Sequence, residues 1–514
     1  MKNLKFVLFL VQIVLFEFGL SAGAKQIQIS TDELLDKIKG GWAGQMIGVA
    51  FGAPTEFRAQ GRIIEEDLPP WEPKRVENAI HQDDLYVEMT FLKVLEKYGL
   101  KARSKDFGEA FKDSKYSLWH ANAAARRNLN RGINAPWSGH PKYNMHANDI
   151  DFQIEADFIG LISPGLPRFS NRICNEVGRV MNYGDGLYGG MFIGGMYAAA
   201  FFEQDPVKVV KAGLACIPEK SSYAAVINDL LDLYERYGND WKKVWRIIEE
   251  RWDRDDVCPD GALSGFNIDA KLNGAYVAMG LLFGGKDFEK TMEISTRCGQ
   301  DSDCNPSSAA GILGVMLGYE KIPDKFKSGI PKIADTKFEF TDYSFNEVVR
   351  ITERLALEQI KMAGGNIVDG KIIVPLQKPK AAKLEQWSPG VPFKVIPVKS
   401  NDWKFEGNWR FDNGNMISED ASATATLNFM GVAVAIVGQL GQDGGRADVY
   451  VDGRKSSIVL DAYIVKNTYE NCLWHIYGLK PGNHSIKIVK RSDKDSRSTG
   501  QVITINRAIC YRNQ

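Results

Sequence analysis

Apolar residues recur three and four apart from about residue 30 to residue 360, and alternate with polar ones beyond residue 365. The first pattern is that of helices with one buried face, the second that of half-buried strands. Ser30-Thr31-Asp32-Glu33 opens the helical part as a capping box, with Ser30 as N-cap, and Leu34, Ile38 and Trp42 follow at helical spacing. Gly41, Gly44, Gly48 and Gly52 lie on the same stretch. Each glycine in a helix costs roughly 1 kcal/mol against alanine, so a stripe of them predicts a second backbone packed very close. In the next predicted helix Leu85, Met89 and Leu92 form one stripe, Val87, Phe91 and Leu95 an adjacent one, and Gly99 closes it. Further helices are predicted over 190–203, 222–237, 271–283 and 287–297. Another begins after Asp301, with Asn305 as N-cap and Pro306 at the first helical position.

The period then changes. Gly364-Gly365 and Asp369-Gly370 are turn signals, with Ile372-Ile373-Val374 between them and Pro375. Residues 377–384, lysine-rich around Pro379, read as a linker. Beyond them Ala423, Ala425, Leu427 and Phe429 alternate with polar residues. Ala447, Val449 and Val451 do the same and run into the hairpin turn Asp452-Gly453, and Lys480-Pro481-Gly482-Asn483 marks another turn before Ile486 and Ile488. The expected organisation is multidomain: an all-α helical domain over 27–376, the linker, and an all-β sandwich of jelly-roll type over 385–514.

A chain of 514 residues is too long for one core. Its 64 basic and 64 acidic residues balance, and no basic stripe supports nucleic-acid binding. Residues 1–24 read as a removable export signal: Lys2 and Lys5, an apolar run from Phe6 to Leu20 broken by Gln12 and Glu17, then Ala22-Gly23-Ala24. The mature chain is therefore expected to begin near Lys25, to lie in the periplasm, at the cell surface or outside the cell, and to hold no integral membrane segment. Seven cysteines, an odd number without zinc-type spacing, leave at least one thiol free or paired between chains; Cys298 and Cys304 could bridge only if geometry allowed.

The chemistry concentrates in two acidic pairs: Asp83-Asp84, in His81-Gln82-Asp83-Asp84, and Asp301 with Asp303, in Gly299-Gln300-Asp301-Ser302-Asp303-Cys304. Both lie where a helix should begin. The helix dipole favours carboxylates there by about 0.3–1 kcal/mol each, which accounts for one acid per helix more readily than for pairs at both. Brought together, four carboxylates cannot all stay ionised without protons or a bound cation. Hard oxygen donors favour Mg²⁺, Mn²⁺ or Ca²⁺ over zinc.

In this setting the chain resembles the ADP-ribosylglycohydrolase family, of the dinitrogenase-reductase-activating type, over most of residues 35–320. Gly41 to Phe57 resembles that family's glycine-rich opening helix, ending in Pro54-Thr55-Glu56. Gln82-Asp83-Asp84 resembles its Thr-Asp-Asp. Asp301-Ser302-Asp303-Cys304, followed by Ser308-Ala309-Ala310-Gly311, resembles its Asp-Thr-Asp-Thr element and the helix after it. The resemblance implies an orthogonal helical fold around a two-metal centre, usually magnesium. It implies Asp83, Asp84, Asp301 and Asp303 as metal ligands, with Gln82 and Cys304 at the two hydroxyl positions. Asp83, Asp84 and Asp301 would serve catalysis, and Glu56 would be a base or positioning residue beside the cleft.

The departures are specific. Gln82 replaces a hydroxyl residue but keeps an oxygen donor, whereas Cys304 brings sulfur, a poor partner for Mg²⁺. Val49 stands where the family usually has Asp. The family's Asn-Gly-x-x-Met-Arg stretch reads Asn148-Asp149-Ile150-Asp151-Phe152-Gln153, a change that bears on the nucleotide substrate more than on the metal chemistry. Asn148, Asp149, Asp151, Glu155 and Asp185 are the candidate substrate-binding residues, each also explicable as a helix start or turn former. Trp137, His140, Tyr143 and His146 form an aromatic loop, suited either to covering sugar or to stabilising the surface. His475 and His484, in the β region, are expected to take no part in catalysis. Two readings stand: a metal-dependent hydrolase of an N- or O-glycosidic bond, acting on an ADP-ribosyl adduct (an ADP-ribosylated protein among them) or on a glycan, and a non-catalytic protein that binds sugar or metal through a degenerate site.

Overall fold

The computed structural model describes residues 25–253, 256–385, 387–465 and 469–513. The stretch read as an export signal lies outside these residues. A helical region comes first and an all-β region follows, as the change of period predicts. Among the described residues no helix is long and apolar enough to cross a membrane.

The opening helix, Thr31–Gly52, starts where the pattern places it, and the Ser30 hydroxyl accepts from the Glu33 N–H at 3.0 Å. Its glycine stripe meets the helix Cys304–Leu317, backbone to backbone. A Cβ at Gly40, Gly44 or Gly48 would fall 2.2 Å from the carbonyl oxygen of Gly314, Ala310 or Pro306, and one at Gly52 would fall 2.0 Å from that of Ser302. The ladder is thus Gly40, Gly44, Gly48 and Gly52. Gly41, expected in it, faces the Leu161 and Val315 side chains instead, because one residue is 100° of helical rotation.

The second helix runs Asp83–Tyr98 and is closed by Gly99 at φ 76°. The predicted start after Asp301 is two residues late. Asp303, not Asn305, is the N-cap: its carboxylate accepts from the Cys304 N–H at 2.9 Å, and Pro306 sits at the third helical position. A strand precedes the first helix, where no strand is predicted. Gln26–Ser30 pairs with Lys371–Pro375, which also pairs with Asn366–Val368, so a small antiparallel sheet joins the two ends of the helical domain. Its partner is over 340 positions away in the sequence, and five alternating residues carry little signal by themselves.

Residues 377–384 are fixed along the helical domain rather than free. The Lys380 and Lys383 carbonyls accept from Asn171 Nδ2 and Tyr188 Oη, and the Ala382 N–H donates to the Cys216 carbonyl. The β region is a sandwich of two antiparallel sheets. In the first, Arg454–Lys455, Arg446–Val451, Gly482–Lys490, Thr424–Gly431 and Trp403–Glu406 lie side by side. In the second the order is Tyr469–Ile476, Ala433–Leu440, Ile503–Arg512, Asn415–Ser418 and Arg410–Asp412, with Val391–Pro397 also on Ile503–Arg512. Leu427, Val449, Ile486 and Ile488 meet Val434, Ile436, Ile505 and Ala508 between them. The outer face of the second sheet is apolar too: Ala433, Ala435, Val437, Cys472, Ile509 and Tyr511 pack on Met145, Val257 and Ala262 of the helical domain. This double burial explains why Ala433–Leu440 is almost continuously apolar where a half-buried strand would alternate. Tyr511 Oη donates to the Val257 carbonyl at 2.9 Å, and His475 Nε2 lies 2.6 Å from the Pro141 carbonyl. All seven cysteines are buried and unbridged, Cys298 and Cys304 among them.

Candidate functional site

The glycine ladder brings the two acidic pairs together. Gly52 ends the opening helix directly against Ser302 and Asp303, and the turn that follows carries Glu56. Thr55 Oγ1 lies 2.8 Å from Ser302 Oγ, while the Phe57 N–H donates to the Gln300 carbonyl at 3.0 Å. Gln300 holds a left-handed backbone (φ 55°), rare for a side chain with a Cβ. It is fully buried, and its side chain bridges the Asn267 N–H and the Gly265 carbonyl at 3.0 Å each, so the conformation is tied on several sides. This turn presents Asp301 and Asp303 to Asp84, whose Oδ2 lies 3.3 Å from the Cys304 thiol.

The electrostatics of the group are one-sided. Burial, then the facing charges of Glu56 and Asp84, push Asp301 up to about 8. Burial and its neighbours Asp301 and Asp83 push Asp303 well above the carboxylate range, and burial with Asp303 and Asp83 does the same to Asp84. Glu56 lies exposed at the mouth of the cleft, yet crowding of its carboxyl and the charges of Asp303 and Asp83 push it up to about 8. The half-buried Asp83 is raised less, with His120 and its own helix's N–H groups acting against burial. What opposes these shifts is hydrogen bonding from backbone N–H groups, from Cys304 and among the acids, plus that one histidine. Five carboxylates face one another with no lysine or arginine among the chief influences on them. A hard divalent cation suits such a donor set.

A second tier of acids lies beneath. Glu88 is one turn beyond Asp84 on the same helix face, so its i,i+4 spacing was readable in the sequence. Its Oε2 accepts from the Phe158 N–H at 2.9 Å while Oε1 has no partner. Asp157 Oδ2 accepts from Ser308 Oγ at 3.2 Å and Tyr197 also bonds to Asp157, while Glu155 Oε2 is buried and unpartnered.

The chain's other candidates are distributed. Gln82 stands at the start of the acidic helix, its amide nitrogen donating to Asn78 Oδ1 at 2.8 Å. Asp151 is buried and accepts from the Ala121 and Asn122 N–H groups at 3.2 and 2.9 Å, capping the helix His120–Asn130 from a distant segment. Glu155 accepts from Asn122 Nδ2 at 2.5 Å. Asn148 Oδ1 accepts from Trp387 Nε1 at 3.1 Å, which ties it to the start of the β region. Asp185 lies at another helix start, where its nearest charges are Lys271 and Asp269. Asp149 joins His146, His120 and Cys258. Trp137 is exposed; its ring lies 5.0 Å from that of His140, which lies 4.9 Å from that of Tyr183, both pairs tilted. Val49 is wholly buried in the opening helix.

The sequence model of the family described as ADP-ribosylglycohydrolase matches residues 30–361. The chain belongs to that family. The match spans the glycine ladder and both acidic pairs and stops before the sandwich. No curated protein matches the chain. Among solved structures, an ADP-ribosylglycohydrolase-related protein complex aligns at 17% identity, covering 63% of this chain and 98% of that one, with a TM-score of 0.39. A family two carbohydrate esterase from Cellvibrio japonicus aligns at 15% identity over 23% of this chain and 32% of that one, with a TM-score of 0.18. A two-domain esterase active on acetylated mannans aligns at 11% identity over 37% and 55%, with a TM-score of 0.22. Likenesses this distant say nothing of function. Family membership supports a glycohydrolase-type activity, and divalent-metal dependence is typical of the family.

Proposed function

We propose that this protein is an exported, divalent-metal-dependent hydrolase of a glycosidic bond, with Mg²⁺ as the expected ion. One observation carries the reading: Glu56, Asp83, Asp84, Asp301 and Asp303 converge from three segments, burial and neighbouring carboxylates raise their affinity for protons, and His120 beside Asp83 is the one basic side chain among the chief influences on them. Asp83, Asp84, Asp301 and Asp303 would hold the ion. When bound, it would supply positive charge that orients sugar hydroxyls and acidifies a water.

The chain's own residues then have distinct tasks. Asp301 and Asp84, fixed by the turn at Gln300 and by the Cys304 thiol, set the floor of the cleft. Glu56, at the mouth of the cleft and outside the proposed ligand set, would give a proton to a leaving oxygen or nitrogen, or take one from water. Cys304 donates its S–H to Asp84 and so positions a ligand, a role that needs no sulfur–metal bond. This is how a thiol can stand at a hydroxyl position without emptying the site.

The segment 148–153 supports a glycan over an ADP-ribosyl adduct as the sugar donor. Asn148 and Asp151 are committed to Trp387 and to the helix at His120, which leaves them little freedom to hold a nucleotide. The test is incubation of the mature chain with Mg²⁺, Mn²⁺ or Ca²⁺, and separately with chelator, against ADP-ribosyl-arginine, ADP-ribosyl-serine and a glycan panel read by mass spectrometry. Metal-dependent release of a sugar is expected. Turnover that persists in chelator, or in Asp301→Asn, refutes the metal centre, and metal binding without any turnover favours the binding-protein reading.

A further inference from the structure

Outside the carboxylate cleft, four side chains of different chemistry converge: His120, His146, Asp149 and Cys258, whose candidate ligand atoms all lie within 4.8 Å of one another. His146 Nδ1 lies 2.9 Å from Asp149 Oδ2 and 3.2 Å from Cys258 Sγ. His120 Nδ1 lies 4.0 Å from the same Asp149 oxygen. Donors held tetrahedrally around one ion, at metal–ligand lengths of about 2.0 to 2.3 Å, stand about 3.3 to 3.8 Å apart, so these separations bracket what a shared ion requires. His146, Asp149 and Cys258 are each no more than 1% exposed.

A thiol–imidazole–carboxylate relay does not fit: it needs the thiol on one ring nitrogen and the acid on the other, whereas here both approach Nδ1 and Nε2 is buried with no partner. A plain hydrogen-bond network, with the Nδ1 proton and the Cys258 S–H both given to the Asp149 carboxylate, is the competing account. A cation uses the same atoms differently. It takes the Nδ1 lone pair, a carboxylate oxygen and the thiolate together, and the two negative charges balance a dication in a site open only on the His120 side.

We propose that His120, His146, Asp149 and Cys258 form a transition-metal site of the zinc class, separate in ligand chemistry from the carboxylate cleft. Imidazole and thiolate select such an ion, as the cleft's oxygens select a hard one. Asp260, with Oδ2 3.2 Å from His120 Nδ1, stands at the rim of the site. Binding the metal displaces two protons: that of the Cys258 thiol, released to solvent, and the one shared between His146 Nδ1 and Asp149, which moves to His146 Nε2 or is released as well. The site joins three segments: the start of the helix His120–Asn130, the run before Asp151, and the stretch around Cys258. Met145 and Val257, each beside a ligand in sequence, are in the apolar contact with the sandwich. His120 in turn stands beside Asp83 and Asp151. Such a metal would therefore clamp the wall between the cleft and the second domain. The inference does not depend on the proposed hydrolysis.

Cobalt is the probe. The full chain, stripped with chelator, is titrated with Co²⁺ in the presence of excess Mg²⁺ to occupy the carboxylates. We expect one equivalent of tightly held cobalt, with a thiolate-to-cobalt charge-transfer band and the strong visible bands of tetrahedral geometry. Cys258→Ser should lose the charge-transfer band, and His146→Ala should lose the equivalent of cobalt. Asp301→Asn, which damages only the cleft, should keep both. Because either site variant could fail to fold, zinc-edge X-ray absorption on the unaltered protein gives a second readout, with one sulfur and two to three nitrogen or oxygen neighbours expected. An absence of sulfur in the zinc shell, or cobalt held only in octahedral geometry and displaced by Mg²⁺, overturns the proposal.

Discussion

Replacing Gly52 by alanine tests whether the glycine ladder builds the site. The new Cβ would fall 2.0 Å from the Ser302 carbonyl oxygen and 2.5 Å from the Asp303 Cα, both backbone atoms that no rotamer change can move. A carbon–oxygen contact ordinarily stays at about 3.3 Å, so the turn bearing Asp301 and Asp303 must retreat by roughly 1 Å. Gly40→Ala makes the same demand at the far end of the helix pair, 2.2 Å from the Gly314 carbonyl oxygen. The two positions are about 18 Å apart along the helix. Overpacking of this kind costs about 1 to 3 kcal/mol, offset by up to ~1 kcal/mol of helix propensity gained with alanine. Both variants should therefore lose similar stability in a urea titration. Their metal binding should diverge: ligand distances tolerate only about 0.2 Å, so Gly52→Ala should weaken Mg²⁺ binding at least tenfold by calorimetry while Gly40→Ala leaves it nearly unchanged. Turnover, where a displacement of about 1 Å can cost on the order of a hundredfold, should follow the same split. Equal loss of Mg²⁺ affinity in both variants, or none in Gly52→Ala, would refute the claim that the ladder sets the position of the acids.

Asp84→Asn removes a carboxylate facing both Asp301 and Asp303, so it should abolish the rise in melting temperature with Mg²⁺, which at a hundred times Kd corresponds to about 2.7 kcal/mol in the unaltered protein. Burial pushes His475 down to about 4 from an ordinary 6.5. Its neutral ring therefore contributes stability that is complete above pH 6.5 and is lost as pH falls toward 4, by about 3 kcal/mol in all. His475→Gln, which keeps an N–H for the Pro141 carbonyl, should flatten that part of the stability–pH curve relative to the unaltered chain. Seven buried, unbridged thiols should be silent to a thiol reagent in the native protein and count as seven after denaturation without reductant; a count of five or fewer would reveal a disulfide.

Local chemistry in the sequence settled a good deal. The Ser30 cap, the change from helical to alternating period, and the two acidic pairs at helix starts depend on residues close in the chain, where periodicity and capping act. Other features depend on partners that no local pattern names. The ladder's phase moved from Gly41 to Gly40 because only the approach of the helix Cys304–Leu317 fixes which face is buried. The strand Gln26–Ser30 exists because Lys371–Pro375 supplies its hydrogen bonds. His120 and Cys258 were unmarked in the sequence, since 138 positions separate them and metal-ligand spacing is a property of space rather than of sequence. Asp151 looks like any helix-start acid until the fold shows that it caps a different helix. The sequence by itself determined where the helical half gives way to the alternating half and which residues carry charge, because those follow from backbone geometry and side-chain type. Only the tertiary structure decided which charges face one another, because that depends on long-range packing, here on four glycines that let two helix backbones touch.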